Sequence, residues 1–208
     1  MVGLSVQDFV GVYWTRPVPW ARFYGVDTDI TQAARQSRTI AYQLELVSRY
    51  AKEVGGEIIE HIVLNDLHSD RASLETVEAL EKRLPKIAED VTFLWVDFSQ
   101  VNGWRKHPYL AQALEGRRTQ PLYPQELMMA GQIFDPISHF QTWQRKAEQH
   151  GLEKTGHAES VMAFLAMHTT KSWPRRAKAL NDAGILTHGG KIWSADNLRK
   201  FTGSLKDR

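Results

Sequence analysis

Positively charged side chains are concentrated near the end of the chain, where they could bind phosphate groups. Residues 171–208 hold nine Lys and Arg against three Asp and Glu, whereas residues 1–170 hold 17 and 21. A basic segment on an acidic body is suited to contacting a polyanion through that one segment. The polar residues that we predict to contact double-stranded DNA are Arg175, Arg176, Lys178, Lys191, Ser194, Asn197, Arg199 and Lys200.

Two short helices joined by a tight glycine-containing turn are predicted to carry these residues. Ser172 and Ser194 are placed as N-caps, and Gly184 is placed to end the first helix. Trp193 and Leu198 fit a hydrophobic staple at the start of the second helix. The pattern is typical of a small helical DNA-reading module. The alternative is a structural helical hairpin that merely exposes its cations to solvent.

Two other groups of residues could do chemistry or bind nucleic acid. Asp66, His68 and Asp70 could form an acid–base cluster after a predicted strand, although we favour a polar loop of turn-forming residues. Residues 104–109 mix cations with aromatic rings and could stack on nucleic acid. A surface patch at the start of a helix explains the same run.

Several classes of site are not expected from the composition. The chain has no cysteine, and its eight histidines are scattered without a close pair at ligand spacing, so we expect no metal site. It lacks the glycine-rich loops that hold nucleotide phosphates, so we expect no cofactor. No apolar run approaches the ~20 residues of a membrane span, and no secretion signal is evident. We therefore expect a cytoplasmic protein with no membrane contact, associated with the nucleoid if it binds DNA.

Alternating strands and helices predict the architecture that positions these residues. Strands are predicted at residues 9–14, 57–64, 91–96 and 121–123, with helices between them. That order predicts an α/β fold with a mostly parallel sheet flanked by helices. A small all-α module follows. The predicted boundaries are an α/β domain over 1–125, a helical connector over 126–156 that ends in a linker at 153–156, and a helical module over 157–208.

The segment that joins the two basic helices resembles the start of the DNA-binding segment of the serine recombinases, where Ala, Leu-Asn, Gly-Ile, Thr, Gly-Gly and Trp recur in this order. In that family the phrase belongs to a helical DNA-binding part, so the resemblance agrees with the charge pattern. The matching residues are Ala179, Leu180, Asn181, Gly184, Ile185, Thr187, Gly189, Gly190, Lys191 and Trp193.

The body of the chain, over residues 9–125, resembles the catalytic domain of the same resolvase/invertase family in its order of elements. Gln43, Tyr50, Ala51 and either Gly55 or Gly56 match a helix-to-strand passage of that domain. The resemblance implies a resolvase-like fold.

The residues that carry catalysis in this family differ here. Family enzymes attack DNA with a serine just after the first strand, and several arginines neutralise the phosphate. At the aligned positions Thr15 replaces an arginine and Pro17 replaces the serine. Asp97 matches the family after the third strand, but Phe98 and Val101 occupy two arginine positions. The resemblance therefore implies a recombinase-like domain that has lost phosphodiester cleavage.

We predict a homodimeric DNA-binding protein that regulates gene expression or assists a mobile element. One alternative is an active site-specific recombinase with rearranged residues, in which Arg35 and Arg105 would add to the phosphate site. Its catalytic candidates are Thr15, Arg16, Ser37, Arg38 and Asp97. The other alternative is a protein-interaction module without a DNA role, whose basic tail binds an acidic partner.

Overall fold

The computed structural model describes residues 6–69, 71–101, 107–168 and 170–206. The chain forms two compact units, Met1–Thr142 and Trp143–Arg208. Within the described ranges, none of the helices combines the length and the apolar character needed to cross a membrane.

A four-stranded parallel sheet with the strand order β2-β1-β3-β4 lies at the centre of the first unit. The two central strands are buried at nearly every position, as their continuous apolar runs predict for a sheet covered on both faces. The prediction of an α/β fold with a parallel sheet flanked by helices is confirmed. The strands are β1 (Asp8–Thr15), β2 (Glu57–Asn65), β3 (Thr92–Val96) and β4 (Arg118–Leu122).

The helices of this unit include one division that the sequence pattern does not reveal. Ser37 has extended backbone angles and accepts a hydrogen bond from the Ile40 N–H at 3.3 Å, so it ends one helix and caps the next. The helical segment predicted between the first two strands is therefore divided into two helices. The helices that precede β4 are α1 (Ile30–Gln36), α2 (Arg38–Glu53), α3 (Leu74–Glu81) and α4 (Pro108–Ala113).

A β-hairpin follows the sheet, where the sequence pattern places the start of a helical connector. Its strands are β5 (Leu127–Met129) and β6 (Gln132–Phe134), which pair antiparallel. Ala130 and Gly131 both have positive φ, +47° and +78°. Two such residues form the type of two-residue turn that matches strand twist.

The helix α5 (Pro136–Met167) is continuous. Residues 153–156 lie inside it, so the linker predicted there is wrong. The polar sequence Glu153–Gly156 looks like a loop, but hydrogen bonds between side chains one turn apart support an exposed helix here. Gln149 Nε2, for example, donates to Glu153 Oε1 at 2.9 Å.

The second unit contains helices joined by irregular segments, and no strand lies within its described residues. The last turns of α5 combine with α6 (Trp173–Asp182) and α7 (Ala195–Lys206) around a small core. The two predicted helices are thus present, but their connection spans residues 183–194 and is longer than the three to four residues of a helix-turn-helix. The buried core residues are Val161, Leu165, Ala177, Leu180, Trp193 and Leu198.

Candidate functional site

A buried cluster of charged and polar side chains lies at the carboxyl edge of the sheet. Arg16 directly follows β1 and Asp66 directly follows β2, and these neighbouring strands are parallel. Arg16 Nε lies 3.2 Å from Asp66 Oδ2, and His107 Nε2 lies 3.3 Å from Asp66 Oδ1. All three residues are only 2 % exposed. The fold thus gathers a guanidinium, a carboxylate and an imidazole in its interior.

Backbone groups fix the direction of these side chains. The Ser73 N–H donates to Asp66 Oδ1 at 3.1 Å, and the Leu110 N–H donates to His107 Nδ1 at 3.1 Å. Because Nδ1 accepts this hydrogen bond, the other ring nitrogen, Nε2, faces Asp66. Burial alone would raise the pKa of Asp66, but His107, the Ser73 N–H and Arg16 together hold that pKa below its ordinary value.

The contacts of this cluster suit a structural role. The Trp14 ring lies between two of its members, 5.1 Å from the His107 ring and 5.4 Å from the Arg16 guanidinium. The Asp66 and His107 side chains have no solvent-exposed area. Because these side chains are buried among the described residues, we interpret the cluster as a structural one that ties together the ends of β1 and β2 and the start of α4.

The predicted catalytic candidates also have structural roles. Thr15 and Ser37 are buried, and the Ser37 hydroxyl caps α2. Asp97 Oδ1 accepts a hydrogen bond from the Ser99 N–H at 2.9 Å. The exposed Arg38 lies with its guanidinium 4.9 Å from the centre of the Phe134 ring. Arg16 is held by Asp66.

Two further arginines, Arg35 and Arg105, are predicted to add to the phosphate site of an active recombinase. Arg35 is exposed on α1. Arg105 lies outside the described residues.

The predicted acid–base cluster after β2 has different members from those expected. Asp66 takes distant partners, whereas His68 is only half-buried and Asp70 lies outside the described residues. The run at 104–109 is described only from His107 onward, and this ring is buried and not available for stacking on nucleic acid. One sequence signal points to the observed cluster: Arg16 and Asp66 each follow an apolar strand, and such positions meet at one edge of a parallel sheet.

Most of the cations predicted to bind DNA lie on the surface of the second unit. Arg176 is the exception, because its Nε donates to the Thr170 carbonyl at 2.5 Å and its guanidinium lies 5.2 Å from the Trp173 ring centre. The exposed cations are Arg175, Lys178, Lys191, Arg199 and Lys200.

Three of these exposed cations pair with nearby carboxylates. Lys178 lies 2.7 Å from Asp182, and Asp196 contacts both Arg199 at 3.0 Å and Lys200 at 2.8 Å. The hydrogen bond from Lys200, followed by the charge of Lys200, lowers the pKa of Asp196. Solvent-exposed pairs of this kind are weak, so a phosphate can compete for the cation.

Ser194 and Asn197, which are also predicted to contact DNA, form the start of α7. The Ser194 N–H donates to Asn197 Oδ1 at 2.8 Å, and the Asn197 N–H donates to Ser194 Oγ at 3.2 Å. This reciprocal cap uses the amide oxygen of Asn197 and leaves its amide nitrogen as a donor.

Residues 179–193, which were compared with the serine recombinases, have structural roles in the connection between α6 and α7. The Asn181 amide binds both the N–H and the carbonyl of Trp193, at 2.8 and 2.9 Å. Gly184 and Gly190 have φ of +72° and +75°, which favours glycine over residues with a side chain. These residues therefore fix the path of the chain between α6 and α7.

A group of possible metal ligands lies in the same unit. One ligand atom each from His150, Glu153 and His188 lies within 4.8 Å of the others. The sequence pattern predicts no metal site because the histidines are scattered without a close pair at ligand spacing, and His188 is distant from His150 in the chain. The continuous α5 brings His150 and Glu153 onto one face, three positions apart.

The structure therefore offers a buried polar cluster in the first unit, and a basic surface and a group of metal-ligand residues in the second. Comparison with protein-family models, with curated proteins and with solved structures finds no match to this chain.

Proposed function

We propose that this chain is a double-stranded DNA-binding protein whose helical unit contacts the phosphate backbone. The observation that carries the proposal is the exposure of Arg175, Lys178, Lys191, Arg199 and Lys200 on one small unit. They belong to the segment of the chain in which Lys and Arg exceed Asp and Glu by nine to three. The resemblance of the α6–α7 connection to a recombinase DNA-binding segment supports the same proposal.

The charges of this surface are suited to a polyanion. Lys178, Arg199 and Lys200 pair with carboxylates on their own helices, whereas the ion pairs found among the described residues do not include Arg175 or Lys191. DNA carries one phosphate charge per ~1.7 Å of helix axis, so its local charge density exceeds that of a single aspartate. Contact with DNA releases counterions, which makes the exchange of partners favourable at low salt.

In this proposal the sheet unit is a scaffold that does not cleave DNA in the manner of a serine recombinase. Thr15 and Ser37, the two hydroxyls that could replace the missing serine, are buried, and Pro17 has no hydroxyl. A homodimer would present two helical units to one duplex and increase the effective concentration of the second unit. A regulatory role or an accessory role in a mobile element would follow from such binding.

Replacing Arg175 and Lys191 together with Ala is expected to weaken binding to a labelled duplex about tenfold at low salt, because two phosphate contacts are lost. Fluorescence anisotropy of the duplex measures the affinity. A matched control replaces Lys52 and Lys86, two exposed lysines of the sheet unit, with Ala. The control changes the net charge equally and should leave the affinity within about twofold.

An equal loss of affinity in both double variants would contradict the assignment of binding to the helical unit. A chain that binds an acidic polypeptide but no duplex would instead indicate the protein-interaction alternative. A covalent protein–DNA adduct that disappears in Thr15→Ala or Ser37→Ala would indicate an active recombinase.

A further inference from the structure

We propose that His150, Glu153 and His188 bind one divalent transition-metal ion of the zinc class. This group of ligands lies within the helical unit, and metal binding there does not require DNA binding. Two of the ligands project from one face of α5, and the third comes from the connection between α6 and α7. A bound ion would therefore join two segments that are far apart in the sequence.

The distances in the cluster are close to those of a metal site. The rings of His150 and His188 have centroids 4.8 Å apart, and the three ligand atoms lie within 4.8 Å of one another. Bonds of ~2.0–2.2 Å to nitrogen and oxygen require ligand atoms roughly 3.3 Å apart in a tetrahedron. Glu153 and His188 are exposed, so small side-chain rotations can close the difference.

The turn that carries His188 is held in place by its own hydrogen bonds. The Thr187 N–H donates to the Lys191 carbonyl at 2.7 Å, and the Lys191 N–H donates to Thr187 Oγ1 at 2.9 Å. Because the turn is already ordered, less conformational entropy is lost when a metal ion binds. The neighbouring His157 is already engaged, because its Nε2 lies 2.7 Å from the Leu186 carbonyl oxygen.

The chemistry of the ligands indicates the class of ion. Two imidazoles and a carboxylate suit zinc and its neighbours in the transition series, whereas calcium and magnesium prefer oxygen alone. Water would complete the coordination.

Titration of the metal-free, tag-free full chain with Co²⁺ tests the proposal. We expect one equivalent to bind with a visible absorption spectrum typical of nitrogen and oxygen ligands. The variants His150→Gln and His188→Gln should each weaken binding more than about 100-fold, because loss of a direct ligand exceeds the ~10–100-fold cost of losing an outer partner. Glu153→Gln should weaken it at least about tenfold.

His168→Gln is the matched control, because His168 is an exposed histidine that follows α5 in the same unit and lies outside the cluster. It should leave the Co²⁺ affinity unchanged, and Zn²⁺ should raise the thermal stability of the original chain and of this control alike. Absence of Co²⁺ binding would overturn the proposal. Binding that survives in His150→Gln or His188→Gln at the original affinity would also overturn it.

Discussion

Asp66→Ala is expected to lower the free energy of unfolding of the sheet unit by about 3–5 kcal/mol. The substitution leaves the guanidinium of Arg16 in the interior without its carboxylate, and it leaves the Ser73 N–H without an acceptor. Burying a polar group away from water is unfavourable, and in the intact chain the attraction to Asp66 offsets this cost. In the variant the cost is no longer offset. Denaturant unfolding measures the total loss, and hydrogen exchange of the β1 amides assigns it to the sheet unit.

A surface ion pair of the same unit provides the control for Asp66→Ala. Glu60 and Arg83 lie 3.3 Å apart with side chains 39 % and 49 % exposed. Glu60→Ala should therefore cost less than about 1 kcal/mol. Equal losses in the two variants would show that the buried cluster contributes no more than a surface pair, contrary to the role assigned to it.

The effect of Asp66 should also depend on pH. The folded chain holds the pKa of this carboxyl below its ordinary value, so its contribution is complete above the unfolded value of ~3.9 and is lost as the pH falls through the folded pKa. The stability difference between the original chain and Asp66→Asn should be constant near neutral pH and should shrink below about pH 4. A difference that grows on acidification would contradict the direction of the pKa shift.

Trp193→Ala is expected to destabilise the helical unit by about 3–5 kcal/mol. The indole is 5 % exposed in a core of six buried residues, and its Nε1 donates to the Ile185 carbonyl at 2.8 Å. Removing the ring opens a cavity and leaves that carbonyl without its donor. A core of this size has little stability to lose, so we expect the unit to unfold while the sheet unit stays folded.

The neighbouring Ile192 provides a control for Trp193→Ala, because it is 72 % exposed. Ile192→Ala should change the stability by no more than about 0.5 kcal/mol. Hydrogen exchange of the α6 and α7 amides measures both variants separately from the sheet. Protection of these amides that survives in Trp193→Ala would contradict the role of this side chain as the centre of the core.

The elements of the fold that could be predicted are those with a strong local signal. The apolar runs of β1 and β3 indicate central strands, and the staple of Trp193 and Leu198 indicates the start of α7. The division at Ser37 and the continuity of α5 through residues 153–156 could not be predicted with the same rules. A serine inside a helical pattern and a polar, glycine-containing stretch both fit more than one structure, and tertiary context decides between them.

The candidate sites show the same limit at longer range. The exposed cations could be predicted from the sequence alone, because a charged side chain is stable at the surface without a partner in the protein. The pairing of Asp66 with His107 and the approach of His188 to α5 join residues that are distant in the sequence. No local pattern encodes these contacts. The residues of the recombinase-like phrase are local, but Asn181 and Gly184 prove to shape the connection, which the resemblance alone does not reveal.

The salt dependence of duplex binding by the intact chain tests the central proposal most directly. The logarithm of the affinity should fall linearly with the logarithm of the salt concentration. In the double variant Arg175→Ala/Lys191→Ala, the slope should be smaller in magnitude by about 1.8, or ~0.9 for each lost phosphate contact. An affinity that does not respond to salt, or a slope that the double variant leaves unchanged, would contradict the account.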